Sequence, residues 1–545
     1  METNKDAAEI KEAARALNEA IQPYQSYSDA YVLAIQTLNF VKKENKGYCD
    51  DIIASCETEL EACATNGETN KYLDQLRLYR MINARERRTE NFVGTEKPEA
   101  GVVGDDFAQT YYIYNVGEKQ FLGGGDSWGC HCVVGHDAIP FALINTIRVD
   151  VDGEPTQVPI EKENTYRIES FRANGEVGVA DFIAYNSYID CNTNDAWTLV
   201  PVEGKANVFN IVRADDNNLM LGYSGYGDND RASGYGDGFK GVHRWIVDSD
   251  LHTGSLPSNQ WMFITKEELN SFAAKATAEA PADLTHLITS PGFDQRVWDR
   301  DWMSSYSKYI NDNGNEDGGV GIWGRGDDHW DFVFECWNAG EYDLNTYVID
   351  EAEIMQPGWY EVACQGYYRD GSFANFLDKV NNGDSIYDRA ELYATTDGEN
   401  EVAVNLVSIG TGINQVPGWG NERHGMRMPD ACWEAVERFF WNGLYWNKLM
   451  IHLSAEDLKN GLILGVRKPH MPNKEDNTVG EWVVVDNFRL RYYGESEKEP
   501  TGIGSIAEES NTGMSDNTIY NLLGQKLTRL QKGVNIINGR KVVIK

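Results

Sequence analysis

The chain contains no run of about 18 apolar residues, so no segment is expected to cross a bilayer as a helix. Positive charge is scarce: Lys and Arg number 49 against 85 Asp and Glu, for a net charge of −36. Phosphate backbones are held by clustered Lys and Arg, so this balance excludes nucleic acid as a partner. The nine cysteines are an odd number without a dense framework, which excludes a small disulfide-stapled scaffold. Cys49, Cys56 and Cys63 share one stripe of a helical stretch and read as small buried hydrophobes. No H-E-x-x-H, phosphate loop or kinase signature occurs. The start, METNKDAAEI, lacks the basic and apolar regions of an export signal.

At 545 residues the chain exceeds a single core, and about three or four domains are expected. Residues 1–95 carry helical periodicity in AAEIKEAARALNEAI and in the stretches 28–46, 50–64 and 70–88. A short α-helical bundle acting as a spacer follows, with Arg85–Arg88 at a helix C-terminus. Residues 105–270 turn to β-text. YYIYNVGEKQFLGGG, YRIES and FNIVRADDNNLMLGYSG open three loosely repeated units of about 50 residues. Two of these units close on Trp197 or Trp261, whereas the first, ending near Phe141–Leu143, lacks the closing tryptophan. Residues 280–495 alternate in segments separated by Pro, Gly, Asn and Asp, which predicts an antiparallel sandwich. A polar linker, 496–516, leads to a small β unit at 517–545. The fold class expected is therefore multi-domain and mainly β.

Several patterns match catalytic or metal motifs without the context those motifs need. Gly125-Asp126-Ser127-Trp128-Gly129 satisfies G-x-S-x-G but is followed by β-text instead of a helix. Gly236–Gly241 has dinucleotide spacing ahead of a strand-like run. Cys130 and Cys132 on a strand would face away from His131, so packed thiols or a disulfide fit better than zinc with His136. The loop 311–319 is rich in oxygen ligands, but Gly324 stands where an EF-hand needs its bidentate Glu. Glu335 with Glu341 or Asp343 is a candidate carboxylate pair for glycoside hydrolysis.

Aromatic residues carry the strongest signal for function. Eleven of the 15 tryptophans lie at or after Trp298, more than the length of that region explains. Trp323, Trp330, Trp419, Trp441 and Trp446 are expected on loops, beside Arg325, Asp327, Asp328, Asn421, Arg423 and Asn442. Indole rings stack on the apolar faces of sugars while polar neighbours bond the hydroxyls, so this mixture suits a glycan site. Trp337, Trp359 and Trp482 fall within strand alternation and are expected in the core.

Three stretches resemble known families. LTHLITSPGFDQRVWDRDW and WVVVDNFRLRYYG open and close a span that resembles the galactose-binding-like jelly roll of carbohydrate-binding modules. That resemblance implies a structural Ca²⁺ at Asp294 and Asp486, where the two phrases meet. The tryptophan-closed units resemble the ricin-type β-trefoil, although Asn259-Gln260-Trp261 departs from the usual Gln-x-Trp. YNLLGQKL and LQKGVNIINGRKVVIK resemble the C-terminal sorting domain of Bacteroidetes proteins exported by the type nine route. This implies outer-membrane secretion machinery as a partner, a location outside the cell or on its surface, and a signal peptide preceding Met1. Taken together, the expectation is a secreted, non-catalytic glycan- or polysaccharide-binding protein, with no catalytic residues assigned. The alternatives are a glycoside hydrolase and a surface adhesion or structural protein.

Overall fold

A computed structural model describes residues 87–101, 109–123, 133–135, 138–170, 195–215, 220–223, 257–293, 333–337, 342–350, 352–382, 390–396, 400–409, 445–468 and 481–496, together with shorter pieces and isolated helical positions between them. The described residues are mainly β, arranged in several antiparallel sheets. Every described position from Ala16 to Leu60 is helical. Ala34, Leu38 and Leu60 are buried, and Lys42 pairs with Glu57 at 2.6 Å. Cys49, Cys56 and Cys63 lie outside the described residues, as do Cys130–Cys132, His136, the two Gly-rich motifs and the loop 311–319.

Six strands close into a ring. Tyr111–Asn115 pairs with Phe141–Ile144, and the order continues through Thr165–Ser170, Trp197–Pro201, Phe209–Arg213 and Trp261–Thr265, which pairs back to Tyr111–Asn115. Closure removes open edges within the ring. Phe141, Trp197 and Trp261 each begin alternate strands of the ring and meet in one core with Ile113, Ile168 and Ile211. Phe141 thus holds in the first unit the place that tryptophan holds in the other two. The Trp261 Nε1–H donates to the Leu221 carbonyl at 2.9 Å, which satisfies the polar edge of a ring with no exposure.

Residues 87 and 88, expected to end a helix, are not helical, and Arg88 is buried where the ring meets the sandwich. Its guanidinium sits 2.9 Å from Glu90 and 3.3 Å from Asp283, and 5.2 Å from the centre of the Phe121 ring. From Asp283 the charges run on through Arg491 to Glu361 and Lys448, at 3.9, 3.7 and 3.6 Å. Phe92 packs edge-on against Phe121 and Phe272, and the following residue, Ala273, belongs to the sandwich core. The ring and the sandwich therefore meet through a packed joint.

Two sheets face each other in the sandwich. One orders Val320–Trp323, Val333–Trp337, Trp482–Tyr492, Gly358–Arg369 and Trp446–Leu453, with Ala282–Asp283 also on Trp482–Tyr492. The other orders Trp302–Ser304, Tyr342–Tyr347, Ile463–Lys468, Glu391–Thr396 and Asn400–Asn405. Alternation sends Phe334, Val362, Leu449, Val483 and Val485 from the first sheet to meet Tyr342, Leu344, Leu392, Leu464 and Val466 from the second. Gly465 is required between its neighbours, since a Cβ there would lie 2.1 Å from the Leu344 carbonyl oxygen. At the C-terminus, Lys526–Leu527, Ile519–Asn521, Gly533–Ile537 and Arg540–Ile544 form a four-stranded antiparallel sheet.

His286 lies in the joint, with Nε2 2.8 Å from Asn270 Oδ1 and its ring edge-on to Tyr112. Burial, and then the nearby Arg88 charge, push its pKa down to about 3 from the ordinary 6.5. A buried imidazole held neutral contributes stability that is full above about pH 6.5 and declines as pH falls toward 3. His286→Gln should flatten that decline, which approaches about 1.4 kcal/mol per pH unit in wild type. Denaturant melts at pH 7, 5.5 and 4.5 check this, and parallel curves for the two proteins would refute it.

Candidate functional site on the outer face of the six-stranded sheet

Both faces of Gly358–Arg369 and Trp482–Tyr492 are buried, unlike Trp446–Leu453, whose burial alternates. The outer face of this sheet is therefore covered, and it carries polar and aromatic side chains. Gln365, Tyr367 and Arg369 point outward from one strand, between the inward Cys364 and Tyr368. Trp482, Val484 and Arg489 do so from the next, and Glu335 from the strand beyond it.

A β-bulge shapes the middle of this face. Three steps from Asp486 to Arg489 stand against two from Gln365 to Ala363, and Asn487 takes a left-handed φ of 53°. Asp486 Oδ1 accepts the Asn487 backbone N–H at 2.7 Å, and the Asn487 amide donates to Asp486 Oδ2 and Gln365 Oε1 at 3.0 and 2.9 Å. Gln365 in turn donates to the Phe439 carbonyl at 2.6 Å. Phe439 and Tyr445 cover the face and pack on Tyr367 at 5.6 and 4.9 Å. Asn447 secures the cover by donating to the Gly366 and Tyr445 carbonyls and accepting the Val407 N–H.

Trp482 lies to one side of the bulge. Its Nε1–H donates to Glu335 Oε1 at 2.6 Å, Arg369 lies 4.9 Å over its ring, and Tyr367 packs at 5.4 Å. Trp446 lies on the other side and is half-buried. The Arg489 guanidinium crosses from two strands away to lie 4.1 Å from the centre of the Trp446 ring. Ala363, on the strand between them, is small enough to let it pass. Burial and the like charge of Arg491 push the Arg489 pKa well down, which is the desolvation cost that contact with the indole face offsets.

Trp323 ends the strand Val320–Trp323 and Trp446 begins the strand Trp446–Leu453, so neither is on a loop as expected. Ladder pairing overrides the turn-like composition around both positions. Arg325, Trp330, Trp419, Arg423, Trp441 and Asp294 lie outside the described residues, as does Glu341. Trp482 is sealed as expected, but on the outer side of its sheet and not between the sheets. Glu335 does not pair with Asp343. Each alternates with core residues of a different sheet, so their carboxylates point away from opposite faces of the sandwich. Asp343 accepts the Tyr393 hydroxyl at 2.6 Å.

Asp486, the other expected calcium ligand, is 1% exposed and committed to the bulge. No group of three or more His, Cys, Asp and Glu with metal-binding geometry occurs among the described residues. Sequence reasoning missed Gln365, Tyr367, Arg369 and Arg489. The available signal was the polar text QGYYRD and NFRLR inside two strands too long and too well paired to lie at an edge.

No protein-family model matches the chain, and no curated protein does. Among solved structures, it shows likeness to the CBM22-2 xylan-binding domain from Paenibacillus barcinonensis Xyn10C. That match has 8% identity, covers 37% of this chain and 97% of that one, and has a TM-score of 0.19. The tandem CBM22-1–CBM22-2 domain from the same protein has 10% identity over 71% of this chain and 92% of that one, with a TM-score of 0.21. A putative sugar binding protein from Bacteroides thetaiotaomicron has 10% identity, over 33% and 84% of the chains, with a TM-score of 0.17. At these scores the likenesses carry no argument about function.

Replacing Asp486 with Ala leaves the Asn487 N–H buried without its acceptor. The expected loss is about 1–3 kcal/mol of stability, read from urea unfolding in the presence of EGTA. An unchanged midpoint would contradict the structural role of this carboxylate.

Proposed function

We propose that the chain is a non-catalytic carbohydrate-binding protein that takes a glycan or polysaccharide at the rim of the six-stranded sheet. Trp446 carries this reading. It is a half-buried indole with one face fixed by Arg489, at the end of a strand whose outward side is only partly covered. A rigid indole loses little freedom when a sugar stacks on its other face. The segment just before it in sequence supplies Trp419, Arg423 and Trp441, the composition expected of a sugar-binding loop. Separation of Glu335 from Asp343 removes that carboxylate pair as a basis for a hydrolase reading.

Three finer readings belong to the same proposal. The six-strand ring, with Phe141, Trp197 and Trp261 in equivalent places, supports a β-trefoil built from three related units. A second sugar-binding module on the chain would raise avidity for a polymer. Calcium at Asp294 and Asp486 would tie the opening phrase of the sandwich to the bulge. Because Asp486 already accepts from Asn487, the cation would share those oxygens. The C-terminal tail, read as a sorting signal, would direct the chain through outer-membrane secretion machinery to the cell surface or the medium.

In isothermal titration with soluble plant and mucin polysaccharides, the full chain should bind with about micromolar to millimolar Kd. Trp446→Ala should weaken this by about tenfold or more, roughly the 1.4 kcal/mol of a stacking contact, with circular dichroism confirming that the variant is still folded. Absence of binding to every polysaccharide by the wild-type chain would remove the proposal. For calcium, the thermal midpoint should rise on exchanging EGTA for Ca²⁺ and should not respond in Asp294→Asn; equal wild-type midpoints would exclude the cation.

A further inference from the structure

Outside the ring a two-stranded ribbon projects, formed by Thr146–Val151 and Glu154–Pro159, and among the described residues it pairs with no third strand. Asp152 and Gly153 make its two-residue turn with φ of 57° and 87°, the left-handed pair that suits the twist of a tight hairpin. Such a turn makes Val151 and Glu154 a hydrogen-bonded pair, and every second pair after it likewise. The groups that point away from the ribbon then belong to positions 146, 148 and 150 on one edge and to 155, 157 and 159 on the other.

The two edges differ. Positions 155 and 159 are prolines, so the second edge has lost two of its three donors and cannot accept another strand. On the first edge the Thr146 carbonyl is taken by the Arg167 guanidinium, while positions 148 and 150 keep both a donor and an acceptor. The two faces differ as well. Thr146 and Gln157 bond each other, and Gln157 lies on the face reached by Arg167 of the ring. The opposite face carries Ile147, Val149, Val151 and Val158, with Val151 47% exposed.

We infer that the Thr146–Val151 edge pairs antiparallel with the same edge of a second copy of this chain, with the two-fold axis at Val149. In that register position 148 of one copy stands opposite position 150 of the other, and both have their main-chain groups turned outward. Roughly four main-chain hydrogen bonds form, and the ribbon becomes a four-stranded sheet closed at both outer edges by proline. The same register sets an arginine position, 148, opposite an aspartate position, 150, twice over. Val149 meets its own copy, and Ile147 meets Val151, so the apolar face doubles in width. The contact is small beside a standard interface, so the dimer is expected at about micromolar Kd.

Sedimentation equilibrium of the full chain over a concentration series tests this. Wild type should approach twice the chain mass as concentration rises. Arg148→Pro copies onto this edge the device present on the other. It removes an outward N–H that the ribbon itself does not use, and it should leave a monomer. Asp150→Arg should weaken the dimer by about tenfold or more, and adding Arg148→Asp to it should restore association by exchanging the charges. Circular dichroism of each variant separates these results from unfolding. A wild-type monomer throughout the series would overturn the inference, and so would a dimer indifferent to Arg148→Pro.

Discussion

The sandwich depends on keeping a polar face of its six-stranded sheet out of water without leaving its groups unpaired. Burying a charge or an amide costs several kcal/mol unless a partner replaces the solvent, on the order of 1–3 kcal/mol for a neutral group and more for an ion. Here each is placed against a particular neighbour. Glu335 receives the Trp482 N–H, Gln365 joins the bulge to the Phe439 carbonyl, and Arg489 lies on Trp446. Glu361 stands between Lys448 and Arg491, which continues to Asp283 and Arg88 at the joint with the ring. Each of these groups has a particular partner, and the half-buried Trp446 at the rim is braced on one face by Arg489.

That arrangement links packing to function. Trp446 and Trp359 are both half-buried on this face, but Trp359 donates to the Ser496 carbonyl and packs edge-on to His452, so the Trp446 rim differs from a broad aromatic platform. Under the proposed reading it would offer a narrow contact, with specificity supplied by the segment that precedes Trp446 in sequence. The ionic run from Glu361 to Arg88 also couples the sandwich to the ring, so the two β units are joined by more than the covalent chain. Buried ion pairs of this kind contribute little net stability beside an apolar replacement, but removing one partner is costly. They are better suited to fixing orientation than to supplying stability.

Much of the architecture was legible in the residues. Period-two alternation located the sandwich strands, and the tryptophans read as closing two repeated units, Trp197 and Trp261, lie at the head of strands in one core. The closing phrase Val483-Val484-Val485-Asp486-Asn487-Phe488 was visible as a motif, but its purpose as a bulge was not, because a bulge is defined by the partner strand. Alternation also cannot say which of two faces is covered. Trp482 was rightly read as buried, yet it belongs to the outer face, where Phe439 and Tyr445 arrive from a distant part of the chain to seal it. Arg88 shows the converse. Its basic neighbourhood read as a helix end, and only the approach of Asp283, far along the sequence, places it in a buried, non-helical position.

The stacking surface proposed for a saccharide is Trp446, braced by Arg489. The decisive measurement is a crystal structure of the full chain soaked with an oligosaccharide that it binds. The expected result is a pyranose ring stacked on the indole face opposite Arg489, with that arginine unmoved. A sugar bound elsewhere, with both faces of Trp446 occupied by protein, would contradict it.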